Sequence, residues 1–184
     1  MDYIINDIEQ YINLGELDNK YLWCILIITI WSIICMFIIS SKKSITKLGF
    51  GFTQVYITVL MSLTIMMRPE KMISRQIHIY PLWTLVEVIK TGKLMYLWLS
   101  LENIMMFIPL GFAIAIVVAD YQLKKRVVLS VFCSSLVSVC IEVTQYRFNV
   151  GSCDVEDWIN NTFGALIGVL CMEAIKKHKY GEFE

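Results

Sequence analysis

Charge is scarce in this chain. Asp, Glu, Lys and Arg make up 17% of its 184 residues, and 16 acidic residues balance 16 basic ones. An average globular domain carries about 25% charged residues. Zero net charge leaves no electrostatic footprint for a nucleic-acid partner. Histidine is rarer still: His78 stands alone in the middle of the chain, and His178 lies in a basic tail. No second histidine has ligand spacing to either, so neither forms a metal motif. Three prolines and nine glycines are too few and too scattered for a linker, and no internal repeat is visible, so residues 1–184 read as one domain. Of six cysteines, Cys24, Cys35, Cys133, Cys140 and Cys171 lie in apolar blocks, and only Cys153 lies in a polar loop. That pattern excludes a disulfide framework and zinc spacing, and it leaves most of the thiols as small hydrophobes. No cofactor motif is present, and none is expected.

What the chain has in excess is apolar residues, 57% of the total, with a mean hydropathy of +0.63. They cluster in unbroken blocks near the roughly 20 residues that a helix needs to cross a hydrocarbon core. Only helices and closed barrels satisfy their backbone in lipid. Unbroken runs are not the alternating segments of a barrel strand. The fold class is therefore an all-α integral membrane protein. Five spans are expected, at about Tyr21–Ser40, Gly49–Met67, Leu99–Ala119, Val127–Tyr146 and Trp158–Ile175. The first follows an acidic N-terminal stretch rather than a basic one, so it reads as a mature span and not as a signal peptide. Between the second and third spans, Arg68–Ser100 is rich in aromatics and interrupted by Glu87, Lys90 and Lys93. It reads as one interfacial or re-entrant segment broken at Gly92, with a sixth span as the competing reading.

Orientation follows from lysine and arginine, which favour the cytoplasmic side. With five spans, Lys42, Lys43 and Lys47, then Lys124, Lys125 and Arg126, then Lys176, Lys177 and Lys179 all fall on one side. The N-terminus is then outside and the C-terminus cytoplasmic. The five basic residues of Arg68–Lys93 run against this pattern.

In that topology polar residues gather at the outer ends of spans three to five. Asn103 opens span three, and Glu142 and Gln145 close span four. Asp154, Glu156 and Asp157 precede span five, and Asn161 lies one turn inside it. Ser135, Ser138, Glu142 and Gln145 share one face of a helix, as do Asp157, Asn161, Gly164 and Gly168. The two stripes are expected to pack together and form a polar pocket, with Asn103 as a third wall. An ionisable residue in a span marks a function by default, which singles out Glu142, although pairing with Arg147 or Arg68 is the structural alternative. Asp154 and Asp157 are spaced as an N-cap and its N3 partner, and capping is the simpler role for Asp154. Glu156 is expected to be solvated, Pro109 and Gly111 to kink their helix, and Gly164 and Gly168 to pack helices closely. The carboxylates are hard-oxygen donors of the kind that bind magnesium or calcium, and a poorly hydrated one could act as acid or base. No nucleophile, phosphate loop or histidine dyad accompanies them, so no metal or catalytic residue is assigned. A transporter would need a polar path through the membrane, and the inner halves of the spans offer only Glu173.

Three motifs in order carry a resemblance. They are Asn103-Ile-Met-Met-Phe-Ile-Pro109-Leu-Gly111-Phe, then Glu142-Val-Thr-Gln145, then Asp154-Val-Glu-Asp157-Trp-Ile-Asn-Asn161-Thr-Phe-Gly164-Ala-Leu-Ile-Gly168. Over roughly Tyr80–Leu170 the chain resembles the VanZ-like family, named for a teicoplanin-resistance protein. Ile79–Trp83 is similar to that family's Asn-Leu-Ile-Pro-Phe element, with Pro81 kept and the asparagine missing. Many relatives have arginine where this chain has Gly151, and Glu156 stands where aspartate is frequent. The resemblance implies a multi-pass protein of the bacterial cell membrane that gives low-level resistance to teicoplanin, a glycopeptide. Its partners would be membrane lipid, with teicoplanin or a lipid-linked cell-wall precursor as the ligand. The alternative is a membrane-embedded enzyme that modifies a lipid-linked envelope precursor, with Glu142 and Asp157 as acid and base.

Overall fold

A computed structural model describes residues 19–39, 44–66 and 77–180. The acidic N-terminal tail, Lys42, Lys43, Arg68, Lys71 and Arg75 lie outside the described residues. The described residues form six α-helices. These are α1 (Asn19–Ile39), α2 (Ser44–Met61), α3 (Trp83–Thr91), α4 (Met95–Val117), α5 (Leu123–Phe148) and α6 (Val155–Tyr180). A five-residue π-helical turn, Ser62–Met66, prolongs α2. Two short strands, β1 (Ile77–His78) and β2 (Cys153–Asp154), pair in parallel, Ile77 with Cys153 and His78 with Asp154.

Among the described residues, four helical stretches are long and apolar enough to cross a membrane: Ile45–Met66, Met95–Val117, Leu123–Phe148 and Val155–His178. Within α1 the apolar stretch Leu22–Ile33 is shorter. The whole helix has 21 residues, about 31 Å at 1.5 Å per residue. Many large apolar side chains face outward, among them Val55, Phe132, Val143, Phe163 and Leu170. In water such a surface is unfavourable, whereas lipid solvates it.

The segment expected to be interfacial contains no described helix of spanning length. Instead, α3 has nine residues and ends at Gly92, whose φ of 68° is the left-handed cap that glycine adopts without strain. The break at Gly92 thus closes one helix just before α4 starts.

The apolar core lies where α1, α2, α4 and α5 meet, around Cys24, Leu60, Ile65, Phe107, Leu110 and Ile141. The Tyr56 hydroxyl donates to the Met106 carbonyl at 2.8 Å and ties α2 to α4. Contact between α4 and α6 is closer than side chains would allow. A Cβ on Gly164 would stand 2.1 Å from the Ile104 carbonyl oxygen, and one on Gly168 2.0 Å from that of Ile108. From the other side, a Cβ on Gly111 would stand 2.1 Å from the Ala165 carbonyl oxygen. The glycine stripe of α6 therefore packs on α4 and not on the stripe of α5. Gly111 lacks a Cβ, so the backbone of α6 at Ala165 can reach α4 there. Gly111 is likewise a contact residue, within a helix that continues through Pro109.

Helices α5 and α6 run antiparallel and are joined at both ends. At one end, Arg126 is 4% exposed. Its Nη2 donates to Glu173 Oε2 at 2.8 Å, and its Nε lies 2.5 Å from Oε1. Its Nη1 also donates to the carbonyls of Ala119 and Tyr121, which close the turn after α4. Twelve residues further along α5, Ser138 accepts a hydrogen bond from Asn161 at 2.9 Å, and Asn161 is twelve residues back from Glu173 along α6. Trp158 Nε1 donates to the Ser135 hydroxyl at 2.8 Å, a third tie between α5 and α6.

Candidate functional site

Asp154 is the hub of the other end of the bundle. As the last residue of β2 it sits beside His78 of β1. His78 Nδ1 lies 2.5 Å from Asp154 Oδ1. The second oxygen, Oδ2, accepts the Ser152 hydroxyl at 2.7 Å. The Asp154 amide donates to Glu142 Oε2 at 3.0 Å. The Ser152 bond to the carboxylate and the Glu142 bond to the Asp154 amide hold Asp154 in place beside the imidazole, and a His Nδ1–H aimed at a carboxylate leaves Nε2 free to meet a ligand. The His78 ring stacks on Trp83 with centroids 4.4 Å apart, and Trp83 meets Tyr96 edge-on at 5.7 Å. Side chains of His78 and Asp154 are 22% and 12% exposed, so the pair is sheltered but open.

The residue next to the hub is Cys153. Burial pushes its thiol above the usual range, and the nearby charges of Glu142 and Asp154 push it further. A thiol held protonated is a poor nucleophile. The Ser152 hydroxyl is engaged with Asp154. The arrangement therefore offers an oriented acid–base group and hydrogen-bond acceptors without an activated nucleophile. Among the described residues, no group of three His, Cys, Asp or Glu side chains is placed to hold a metal ion.

Glu156 departs from its expected solvated place. Its Oε2 accepts the Thr84 amide at 2.8 Å. Thr84 is the second residue of α3, whose N-cap Leu82 supplies no side-chain bond and has a φ of 138°. A carboxylate from α6 thus caps a helix remote in sequence, complementing both its free amides and its dipole. The same strained turn positions Trp83 against His78.

Of the residues singled out by sequence, Glu142 and Asp154 meet directly, and Asp157 lies in the first turn of α6. Glu142 is 6% exposed and accepts the Asp154 amide, while Arg147, its alternative partner, has its guanidinium 5.9 Å from the Phe148 ring. Asn161 joins α6 to α5 through Ser138. Gln145 lies apart from the hub: its Nε2 donates to the Thr64 carbonyl at 3.0 Å and ties α5 to the π turn. Asn103 is half-buried on α4, directly before the Ile104 that Gly164 approaches. Sequence reasoning passed over His78, because its partner is 76 residues away. The one usable signal was its place beside Pro81 and Trp83, in the element already similar to a family motif.

A model of the family described as VanZ/LLP1 matches residues 21–176, most of the chain. No curated protein and no solved structure matches it.

Proposed function

From membership of the VanZ/LLP1 family, to which this chain belongs, we propose that the protein acts at the outer face of the bacterial cell membrane to lower the action of teicoplanin. It would hold the antibiotic, its lipid tail or the head of a lipid-linked wall precursor at the Asp154 hub. The observation that carries this reading is the convergence of His78, Ser152 and Glu142 on Asp154 at one end of an apolar bundle. A second feature suits an amphipathic ligand. A shallow apolar groove lined by Leu94, Met95, Leu97, Trp98 and Leu101 lies on the first turns of α4, next to Tyr96 of the aromatic stack. A polar head would sit at the hub and an acyl tail along the groove. The outward placement rests on the lysine and arginine distribution.

The test is susceptibility of a sensitive Gram-positive host to teicoplanin, with vancomycin alongside. Wild type, Glu142→Gln and His78→Ala would be compared at matched membrane levels. Protection by the wild type and loss in both variants is the expected result. Equal protection by all three proteins would refute the site, and no protection by the wild type would refute the resistance role.

One observation favours a second reading, an enzyme acting on an envelope lipid. The imidazole backed by Asp154 is arranged as general bases are in acid–base catalysis. In this reading His78 exchanges protons with the substrate, while Glu142 and Asp157 supply the acidic groups. Envelope lipids with identical mass spectra in the presence and absence of the protein would eliminate it.

A further inference from the structure

Lysines gather at the end of the bundle away from the Asp154 hub. Lys47 stands in the first turn of α2, Lys124 and Lys125 in the first turn of α5, and Lys176 and Lys177 in the last two turns of α6. All five are exposed. The carboxylates at this end, among the described residues, are those of Asp120 and Glu173. Glu173 is engaged by the buried Arg126, which leaves Asp120 to balance five ammonium groups.

Packing concentrates this excess at the turn between α4 and α5. Gly49 brings α2 against the end of α4, since a Cβ there would stand 2.6 Å from Ile116 Cγ2. Lys47 and Phe50 lie three residues apart on one face of α2, and Phe50 and Tyr121 both pack on Val117 and Val118. The Lys125 ammonium rests 4.3 Å from the centre of the Tyr121 ring. Arg126 fixes the turn itself by donating to the carbonyls of Ala119 and Tyr121.

The apolar neighbours of these lysines indicate the partner. Ile45 and Leu48, on either side of Lys47, are 60% and 74% exposed, and Leu123, next to Lys124, is 55% exposed. All three belong to stretches long and apolar enough to cross a membrane, Ile45–Met66 and Leu123–Phe148. They therefore face hydrocarbon, and the lysines stand at its margin. A lysine stem lies along apolar surface while its ammonium reaches the polar layer. A soluble polyanion would meet the charges and leave the apolar side chains in water, whereas a lipid meets both.

We propose that Lys47, Lys124 and Lys125 bind the phosphate of an anionic phospholipid, whose acyl chains lie along Ile45, Leu48 and Leu123. An anionic headgroup gains about fivefold in affinity from each lysine near the membrane surface. A zwitterionic headgroup carries no net charge and gains little. The site is independent of the ligand bound at the Asp154 hub.

The test is thermal melting of the full-length protein in detergent with added lipid, because a ligand that binds the folded state raises Tm. Phosphatidylglycerol should raise the Tm of the wild type. Phosphatidylcholine with the same chains, and inorganic phosphate, should leave it unchanged. The Lys47→Gln/Lys124→Gln/Lys125→Gln variant should need on the order of a hundredfold more phosphatidylglycerol for the same rise. Lys90→Gln/Lys93→Gln, at the hub end, should respond as the wild type does. Single replacements, each costing about fivefold, carry the test if the triple variant does not elute as the wild-type species. No rise with phosphatidylglycerol overturns the proposal, and so does an equal rise with phosphatidylcholine. A rise with inorganic phosphate would mean a site for a free anion and overturns the lipid assignment. An unchanged titration in the triple variant, or an equal loss in the Lys90/Lys93 variant, overturns the choice of residues.

Discussion

Replacing Gly164 by alanine isolates the contact between α4 and α6. The added Cβ would lie 2.1 Å from the Ile104 carbonyl oxygen, where a comfortable separation is about 3.5 Å. The shortfall is about 1.4 Å, and the obstacle is backbone, which cannot rotate aside. The helices must part along a contact that Gly111 and Gly168 also define. Overpacking of this kind costs about 1–3 kcal/mol, and the steric depth here places it at the upper end. Alanine returns up to about 1 kcal/mol in helix propensity, so the net loss is about 2 kcal/mol. For a chain of 150–250 residues each kcal/mol moves Tm by about 2–4 °C, so Gly164→Ala should lower Tm by about 4–8 °C. Gly51 is the internal control: a Cβ there meets nothing within 4 Å, and Gly51→Ala should leave Tm unchanged or raise it. The assay is thermal loss of the monodisperse peak of detergent-solubilised protein on size-exclusion chromatography. Equal melting of the two variants would refute the claim that close backbone approach at Gly164 holds α4 to α6.

Arg126→Ala should destabilise the protein by about 3–5 kcal/mol by leaving Glu173 unpaired, and a double variant that also carries Glu173→Leu should recover part of the loss in the same melting assay. Glu156→Ala removes the cap on Thr84 and should weaken the start of α3 by about 0.5–2 kcal/mol, read as faster amide exchange confined to Trp83–Thr91. Alkylation of Cys153, followed by peptide mass spectrometry, should rise with pH later than for an ordinary thiol, because its raised pKa leaves less thiolate at each pH below it. Glu142→Gln removes one charge that raises the pKa, so the alkylation curve should shift back toward lower pH.

The legibility of the site followed sequence distance. Glu142 stood out because a carboxylate in an apolar run is costly, and Asp154 and Asp157 because they precede a span. Their helical stripes also brought Ser138 and Asn161 into the same reading, and the two residues do meet. His78 and Glu156 were passed over because their partners, Asp154 and Thr84, lie 76 and 72 residues away. A lone histidine and a carboxylate on a solvated turn carry no mark of such partners.

The sequence by itself determined the membrane class, the helices and the boundary at Gly92. Lipid imposes a length and an apolar composition on each span, and both are local properties of the chain. It also determined which end of the bundle would carry the carboxylates, since successive antiparallel spans put residues 142, 154 and 157 near one end whatever the packing. Only the tertiary structure decided which helix faces meet. Every outward face in lipid is apolar, so hydropathy cannot tell a lipid-facing stripe from a buried one. The glycines of α6 went to α4, where they meet the Ile104 and Ile108 carbonyls. Ser138 of α5 met Asn161 of α6, and two strands of two residues each brought His78 to Asp154.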